Sequence, residues 1–189
     1  MNNKLITILI IFFQFFFIDK IFAKEIQFNA SEIEIIDEGN KTIAKKGSVL
    51  IKEDKISVEG LLIEYIKNES LLIVNDGKIK KIDDDLEINS KIIKYNIDQS
   101  NLIFKDEVKI YDNINNLQII SDEIDFDLGD QTINSQSKSE IRDNLGNVYQ
   151  VKQFEYNVEN KIVKLIDLKV TDINSNTFEI MVAYLDLNK

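Results

Sequence analysis

The chain contains no cysteine, histidine, proline or tryptophan among its 189 residues. Each absence removes a class of chemistry. Without cysteine there are no disulfides and no zinc–thiolate centres, and without histidine there is no imidazole acid–base catalysis and no Ser–His or Cys–His pair. Catalysis would have to run on carboxylates alone. A single arginine, Arg142, and a formal net charge of −10 argue against a nucleic-acid partner, because a phosphate-tracking surface needs clustered Lys and Arg. Since disulfides are missing, cysteine usage says nothing about compartment, and export has to be read from the N-terminus.

Long apolar runs are scarce as well. The one that stands out, Leu5 to Ile18, holds 14 residues interrupted only by Thr7 and Gln14. As a helix it would be roughly 21 Å long, short of the ~30 Å hydrocarbon core of a bilayer. A polar start with Lys4, this run, and the small residue Ala23 before Lys24 form a secretory signal pattern. The expectation is a signal peptide over residues 1–23, cleaved after Ala23, and one exported domain over 24–189. The first 23 residues carry +1 (Lys4 and Lys20 against Asp19), which leaves −11 on the rest. Those acidic residues are spread along the whole length and read as a solvated face.

What is abundant is a repeat. An apolar–charged–apolar triplet recurs as Ile33-Glu34-Ile35, Ile63-Glu64-Tyr65, Ile93-Lys94-Tyr95, Ile124-Asp125-Phe126, Phe154-Glu155-Tyr156 and Leu185-Asp186-Leu187, in steps of 30, 30, 31, 30 and 31 residues. A second register of turn-prone or polar residues, Gly47, Gly77, Glu107, Ser137 and Asp167, keeps a step of 30. Within each unit apolar and polar residues alternate with period two, as in Val108 and Ile110 or Ile124, Phe126 and Leu128, which is the pattern of strands with one wet face. Turn signals separate the runs: Asp37-Glu38-Gly39-Asn40, Asn75-Asp76-Gly77, Asp112-Asn113, Gly129-Asp130 and Asn144-Leu145-Gly146-Asn147. Connections this short leave no room for crossover helices, so neighbouring strands should pair antiparallel. A unit alone exposes an apolar face that stacking must cover. The expected fold is all-β: stacked antiparallel strands in a twisted β-jellyroll or open sandwich, with the triplets inward. A right-handed parallel β-helix ranks second.

With these residues in view, the chain resembles the OstA-like repeats of the lipopolysaccharide-transport proteins LptA, LptC and LptD. The clearest matches are Ser121 to Phe126, Lys105-Asp106-Glu107-Val108-Lys109-Ile110 and Lys45-Lys46-Gly47-Ser48-Val49-Leu50-Ile51, and the resemblance spans nearly all of residues 28–187. Judged by the signal pattern and the segment Ile141 to Val170, it is most similar to the N-terminal periplasmic part of LptD. It departs from LptD in lacking a membrane barrel, and a repeat should continue past Leu185-Asp186-Leu187. Either a fragment of such a protein or a short LptA-like carrier would fit. Membership implies a β-jellyroll whose apolar groove holds lipopolysaccharide acyl chains, a periplasmic location with a part in outer-membrane assembly, and other Lpt jellyrolls as end-to-end partners.

On that resemblance the lipid-lining candidates are Ile33, Ile35, Ile63, Tyr65, Ile93, Tyr95, Ile124, Phe126, Phe154 and Tyr156. The plainer reading of the same set is a packed β core. Acyl burial contributes roughly 0.8 kcal/mol per methylene, so one long chain supplies on the order of 10 kcal/mol before ordering costs. An exposed ion pair supplies at most about 1 kcal/mol. Recognition should therefore rest on chains inside, with Lys24, Lys45, Lys46, Lys80 and Lys81 as rim candidates for head-group phosphates, or simply as solvated lysines. Edge strands Glu25 to Ile36 and Phe178 to Leu187 are the candidate docking sites, since no proline blocks pairing. Asp83-Asp84-Asp85 and Asp122-Glu123 bring carboxylates together only in sequence. Adjacent strand residues point to opposite faces, and the run 83–85 reads as a turn without the looped spacing of a calcium site. No enzyme, metal or cofactor is expected. The alternatives to a lipid conduit are a structural or adhesive β-repeat module and a carbohydrate-active β-helix enzyme.

Overall fold

The computed structural model describes residues 24–188; the expected signal segment and Lys189 lie outside the described residues. Twelve strands follow one another in chain order: β1 Ile26–Ile36, β2 Lys41–Ile51, β3 Ile56–Ile66, β4 Leu71–Lys81, β5 Leu86–Asn96, β6 Asn101–Asp112, β7 Leu117–Asp127, β8 Thr132–Ser135, β9 Ser139–Arg142, β10 Val148–Asn157, β11 Ile162–Thr171 and β12 Thr177–Asp186. They form a single sheet in which each strand pairs antiparallel with the next, and β8 and β9 together fill one position between β7 and β10. This is the all-β antiparallel architecture the period-two pattern predicts. It excludes the parallel β-helix.

A single sheet has no second layer to cover it, yet residues all along one face are fully buried. The sheet achieves this by folding on itself. Midway along each strand the pairing skips a step, for example between Lys45↔Leu62 and Gly47↔Gly60 and between Asn75↔Ile92 and Gly77↔Ser90. At that step the inward parity inverts. In β3, Ile56 and Val58 are buried before the skip and Ile63 after it; in β5, Leu86, Ile88 and Ser90 are followed by Ile93 and Tyr95. The skipped residues form a crease across the sheet. Several adopt left-handed backbone there: Lys46 (φ 47°), Asp76 (φ 46°), Asp106 (φ 64°), Glu107 (φ 54°) and Asp167 (φ 50°). The second register of the sequence thus marks a bend within strands. Asn75-Asp76-Gly77, expected as a turn between strands, lies inside β4, because the left-handed Asp76 inverts the strand's parity without ending its pairing.

The crease divides the sheet into two leaves that face each other. The first leaf carries residues such as Val49, Ile51, Ile56, Val58 and Ile88, and the second carries Ile63, Val74, Ile93, Phe104 and Ile124. All six triplets belong to the second leaf or its immediate border. Near the crease, the paired strand and the side chains beyond the bend leave no room for large side chains. A Cβ added to Gly47 would lie 2.4 Å from the Ala30 Cβ and 2.7 Å from the Asn29 carbonyl oxygen, and one on Gly60 would lie 2.3 Å from a methyl of buried Val74. Further along, serines take these positions. Ser121, Ser135 and Ser139 are buried and bond one another, Ser121 Oγ to Ser135 Oγ at 3.0 Å and to Ser139 Oγ at 2.9 Å, which satisfies polar atoms that would be costly to leave unpaired.

The strand ends carry the turns in two rows. The first lip, bordering the first leaf, holds turns 52–55, 82–85, 113–116, 143–147 and 172–176. The second lip holds 37–40, 67–70, 97–100, 128–131 and 158–161. The carbonyl ending each second-lip turn accepts the N–H that opens the next, as in Asn40 O from Lys67 N (2.8 Å) and Ser70 O from Ile97 N (2.9 Å). The row is therefore one hydrogen-bonded rim. Asp83 to Asp85 form a first-lip turn, as the sequence suggests.

The crease predicts how the sheet responds to substitution. Gly47→Ala should cost about 1–3 kcal/mol in urea unfolding, because the nearest obstacles, the Ala30 Cβ and the Asn29 and Ala30 backbone, cannot swing away. Lys46→Gly, which relieves a left-handed lysine, should be neutral or stabilising in the same assay.

Candidate functional site

Of the ten sequence-nominated lining residues, Ile63, Ile93, Tyr95, Ile124, Phe126, Phe154 and Tyr156 are buried between the leaves. Tyr65 is half-buried, its ring 6.3 Å from that of Phe28 on the opposite leaf. Ile33 and Ile35 are 46% and 66% exposed. The structure brings the seven together with their opposite numbers as one continuous core, and in this conformation they face each other, not an open trough. A guest would reach them only where the leaves part or where the core is uncovered.

The core is uncovered at both ends, for a reason built into the fold. Twist offsets the two leaves along the sheet, so that Phe28 of β1 meets Tyr65 of β3, and the turn after β2 meets the end of β5. With an offset of two to three strands, the second-leaf halves of the first strands have nothing facing them among the described residues, and neither have the first-leaf halves of the last strands. Ile33 and Ile35 stand exposed on one ledge, and Phe178 (53% exposed) and Ile180 (41%) on the other. Ile26, Phe28, Ala183 and Leu185, on the covered halves of the same two strands, pack against the core. The edges expected at Glu25 to Ile36 and Phe178 to Leu187 are β1 and β12, each with a sheet neighbour on one side only among the described residues.

Between the ends, the two lips meet in a seam closed by polar contacts that no local spacing reveals. The Tyr95 hydroxyl donates to the Asp54 carboxylate across 41 residues of sequence. Lys24 Nζ joins them, donating to both Asp54 oxygens (2.8 and 2.9 Å), to the Ile97 carbonyl (2.9 Å) and to Ser100 Oγ (2.8 Å), so it ties the first lip to the second. Farther on, the Tyr156 hydroxyl donates to the carboxylate of Asp112, a residue 3% exposed, which also accepts from the Asn115 backbone N–H (2.9 Å) and Nδ2 (2.7 Å). Within the first lip, Tyr149 at the start of β10 donates to Asp143, six residues back, at 2.8 Å. Burial, then the carboxylate partner, pushes the phenols of Tyr95 and Tyr156 far above their ordinary value, and the same two causes push Tyr149 up to about 12.

The rim lysines are largely engaged within the protein. Besides Lys24, Lys45 pairs with Glu32 (2.9 Å), Lys80 with Asp85 (3.6 Å) and Lys81 with Asp84, while Lys46 is exposed at the crease. An open trough of about 870 Å3 runs on the outer surface beside the crease, lined by residues of both signs including Lys46, Lys78, Glu59 and Asp76. Its polarity does not suit an acyl chain. No helix among the described residues is long and apolar enough to cross a membrane.

Fold and site together define a class: a single β-meander creased lengthwise, with a continuous apolar interior, a polar seam and two uncovered ends. No family model matches the chain, and no curated protein matches it either. Among solved structures it is similar to LptH from Pseudomonas aeruginosa, described as the LptA-homologous periplasmic component of the conserved lipopolysaccharide transport device. The two share 8% identity over 84% of this chain and 95% of that one, at a TM-score of 0.30. At that score the overall frames do not superpose, and the functional reading rests on this chain's own residues.

The three tyrosine–aspartate contacts make stability pH-dependent in a defined direction. A phenol whose folded pKa exceeds its unfolded value of about 10 contributes stability that is intact below pH 10 and lost as pH rises through the folded value. Absorbance titration should therefore find Tyr95, Tyr149 and Tyr156 protonated above pH 10 in the folded protein, and stability should decline from that pH upward. Tyr156→Phe with Asp112→Asn in a double-mutant cycle should give a coupling of about 1.5–3 kcal/mol at pH 7, and Tyr156→Phe should flatten the alkaline slope.

Proposed function

We propose that this protein is a periplasmic component of lipopolysaccharide transport that takes acyl chains between its leaves and docks end to end with other jellyrolls of that system. The observation that carries the reading is the form of the interior: an apolar core that runs the length of the molecule and is left uncovered at both ends, at Ile33 and Ile35 and at Phe178 and Ile180. A self-contained domain gains nothing from two such ledges, which expose aliphatic surface that a globular fold ordinarily buries. Neighbours in a chain of similar units would cover them. The outer backbone rows of β1 and β12, each strand having a sheet neighbour on one side only among the described residues, supply the hydrogen bonds for docking, and no proline in either strand interrupts them. The OstA-like pattern of the sequence supports the same assignment, with the export signal delivering the chain to the periplasm and the outer membrane as the destination of its cargo. Whether the role is that of an LptA-like carrier or of an LptD-like N-terminal domain turns on what β1 and β12 dock against.

Within this reading the ten lining residues are the acyl-chain contacts. The acidic lips, with Asp83, Asp84 and Asp85 among them, repel lipid A phosphates, so chains inside and not head groups outside dominate affinity. The close packing of the seven buried lining residues favours one other reading, a structural β-repeat module with no lipid ligand.

Photo-crosslinking residues at Ile35, Tyr65, Tyr95 and Phe126 separate the two. The transport reading expects adducts with lipopolysaccharide at these inward positions and none at the outward Glu64 and Asp125. Folded protein that yields no adduct at any inward position is the outcome expected of the structural module.

A further inference from the structure

The contacts across the seam keep a nearly constant offset. Asp54 meets Tyr95 at 41 residues and Asp112 meets Tyr156 at 44, while at the far end the Asp143 turn shares a cavity of about 370 Å3 with Tyr184, Leu185 and Leu187. The same offset carries the intervening first-lip turn, 82–85, to Phe126. Triplet residues facing the first lip therefore alternate along the seam: Tyr95, Phe126, Tyr156, Leu187. The tyrosines place a hydroxyl on a carboxylate of the other lip. Phe126 has none to offer, and Asp84 is bonded instead to Lys81 of its own lip. Leu187 has no hydroxyl or carboxylate to offer the first lip; it packs against the core, and its backbone N–H donates to Lys161 O (2.9 Å) in its own lip.

We propose that a long acyl chain enters the interior through the seam at Phe126 and Leu187, while the Tyr95–Asp54 and Tyr156–Asp112 contacts hold the leaves together as fixed latches. The inference rests on the reading of the interior as an acyl-chain site. To pass a latch, a chain must break a sheltered hydrogen bond to a carboxylate and leave both partners unpaired. To pass Phe126 it displaces only apolar contacts, which its own methylenes replace. Tyr95 on β5 and Tyr156 on β10 are four strand positions apart, about 19 Å, so the gap between latches is wide on the scale of one chain.

A separate observation points to the same seam. The tips of the first-lip turns present Ile82, Ile114, Leu145 and Ile173, all more than half exposed, whereas the aliphatic residues opening second-lip turns, Ile97, Leu128 and Val158, are buried. One lip alone is dressed with outward aliphatics. They form a landing row at successive turns, two strands apart, beside the opening they would feed.

The test is stopped-flow uptake of cis-parinaric acid, an 18-carbon fatty acid that fluoresces in apolar surroundings, by the processed chain and two variants. Phe126→Tyr with Leu187→Tyr adds phenols at the unlatched positions, where the repeat already accommodates tyrosine, and should slow association at least tenfold. Tyr95→Phe with Tyr156→Phe removes only two hydroxyls and should speed it several-fold. Wild-type rates in both variants would mean that chains enter by the uncovered ends, and the seam proposal would fall while acyl binding stood. Wild-type protein that takes up no probe would overturn the acyl reading and the entrance with it.

Discussion

The structure depends on the crease. A meander of amphipathic strands produces one sheet with one apolar face, and among the described residues no helix or second sheet covers that face. Bending every long strand at its midpoint, and dividing one position between β8 and β9, lets the face cover itself, at the cost of a line where two leaves converge. That line dictates composition. Gly47 and Gly60 occupy its inner side because the paired strand β1 or a valine methyl already fills the space a larger side chain would need, and small buried serines take the corresponding positions further along. Left-handed residues occupy several of the skipped positions, where the parity of the strand inverts so that both halves face inward. An aspartate such as Asp76 or Asp167 tolerates that conformation better than a β-branched residue would.

Twist then decides where the leaves are covered. Since strands in a sheet rotate progressively, the two halves of a creased strand do not lie over one another, and each half is opposed by a strand two to three places along. The consequence, among the described residues, is a second-leaf ledge at β1 and a first-leaf ledge at β12, each apolar. Where strand ends do meet, they do so as turns, rich in peptide groups and carboxylates. A phenol suits that boundary, its ring continuing the core and its hydroxyl reaching an aspartate at the water's edge. The absence of buried unsatisfied side-chain polar atoms among the described residues shows how fully the seam contacts are matched.

A packed interior and a transport role are compatible only if the leaves can part, and the two kinds of seam contact differ in what parting costs. Apolar contacts between leaves are non-directional and are recovered against any apolar guest. The Tyr–Asp contacts have fixed partners and nothing in a hydrocarbon chain replaces them. The division between tyrosine positions and the Phe126 and Leu187 positions is thus a division between places where the fold resists opening and places where a guest can compensate for it.

The repeat, the antiparallel pairing, the two edge strands and the inward direction of the triplets were all legible in the sequence, because each depends on the local period of one strand or on turns between neighbours. Period two within Ile124 to Leu128 needs no knowledge of the rest of the chain. Three features needed the tertiary structure. The parity inversion between Ile56, Val58 and Ile63, Tyr65 looks locally like a strand break, and so Asn75 to Gly77 reads as a turn until the pairing on both sides is seen. The burial of seven of the ten lining residues, with Ile33 and Ile35 left out, depends on which leaf halves face each other, and that is set by twist. The pairing of Tyr95 with Asp54 and of Tyr156 with Asp112 spans a repeat and a half, a distance no hydrophobic period encodes. Sequence alone determined that these strands would stack and which faces would be apolar, since side-chain alternation is a property of each strand. Only the folded sheet decided which residues meet across the interior, because the offset between the leaves accumulates over many strands and belongs to none of them.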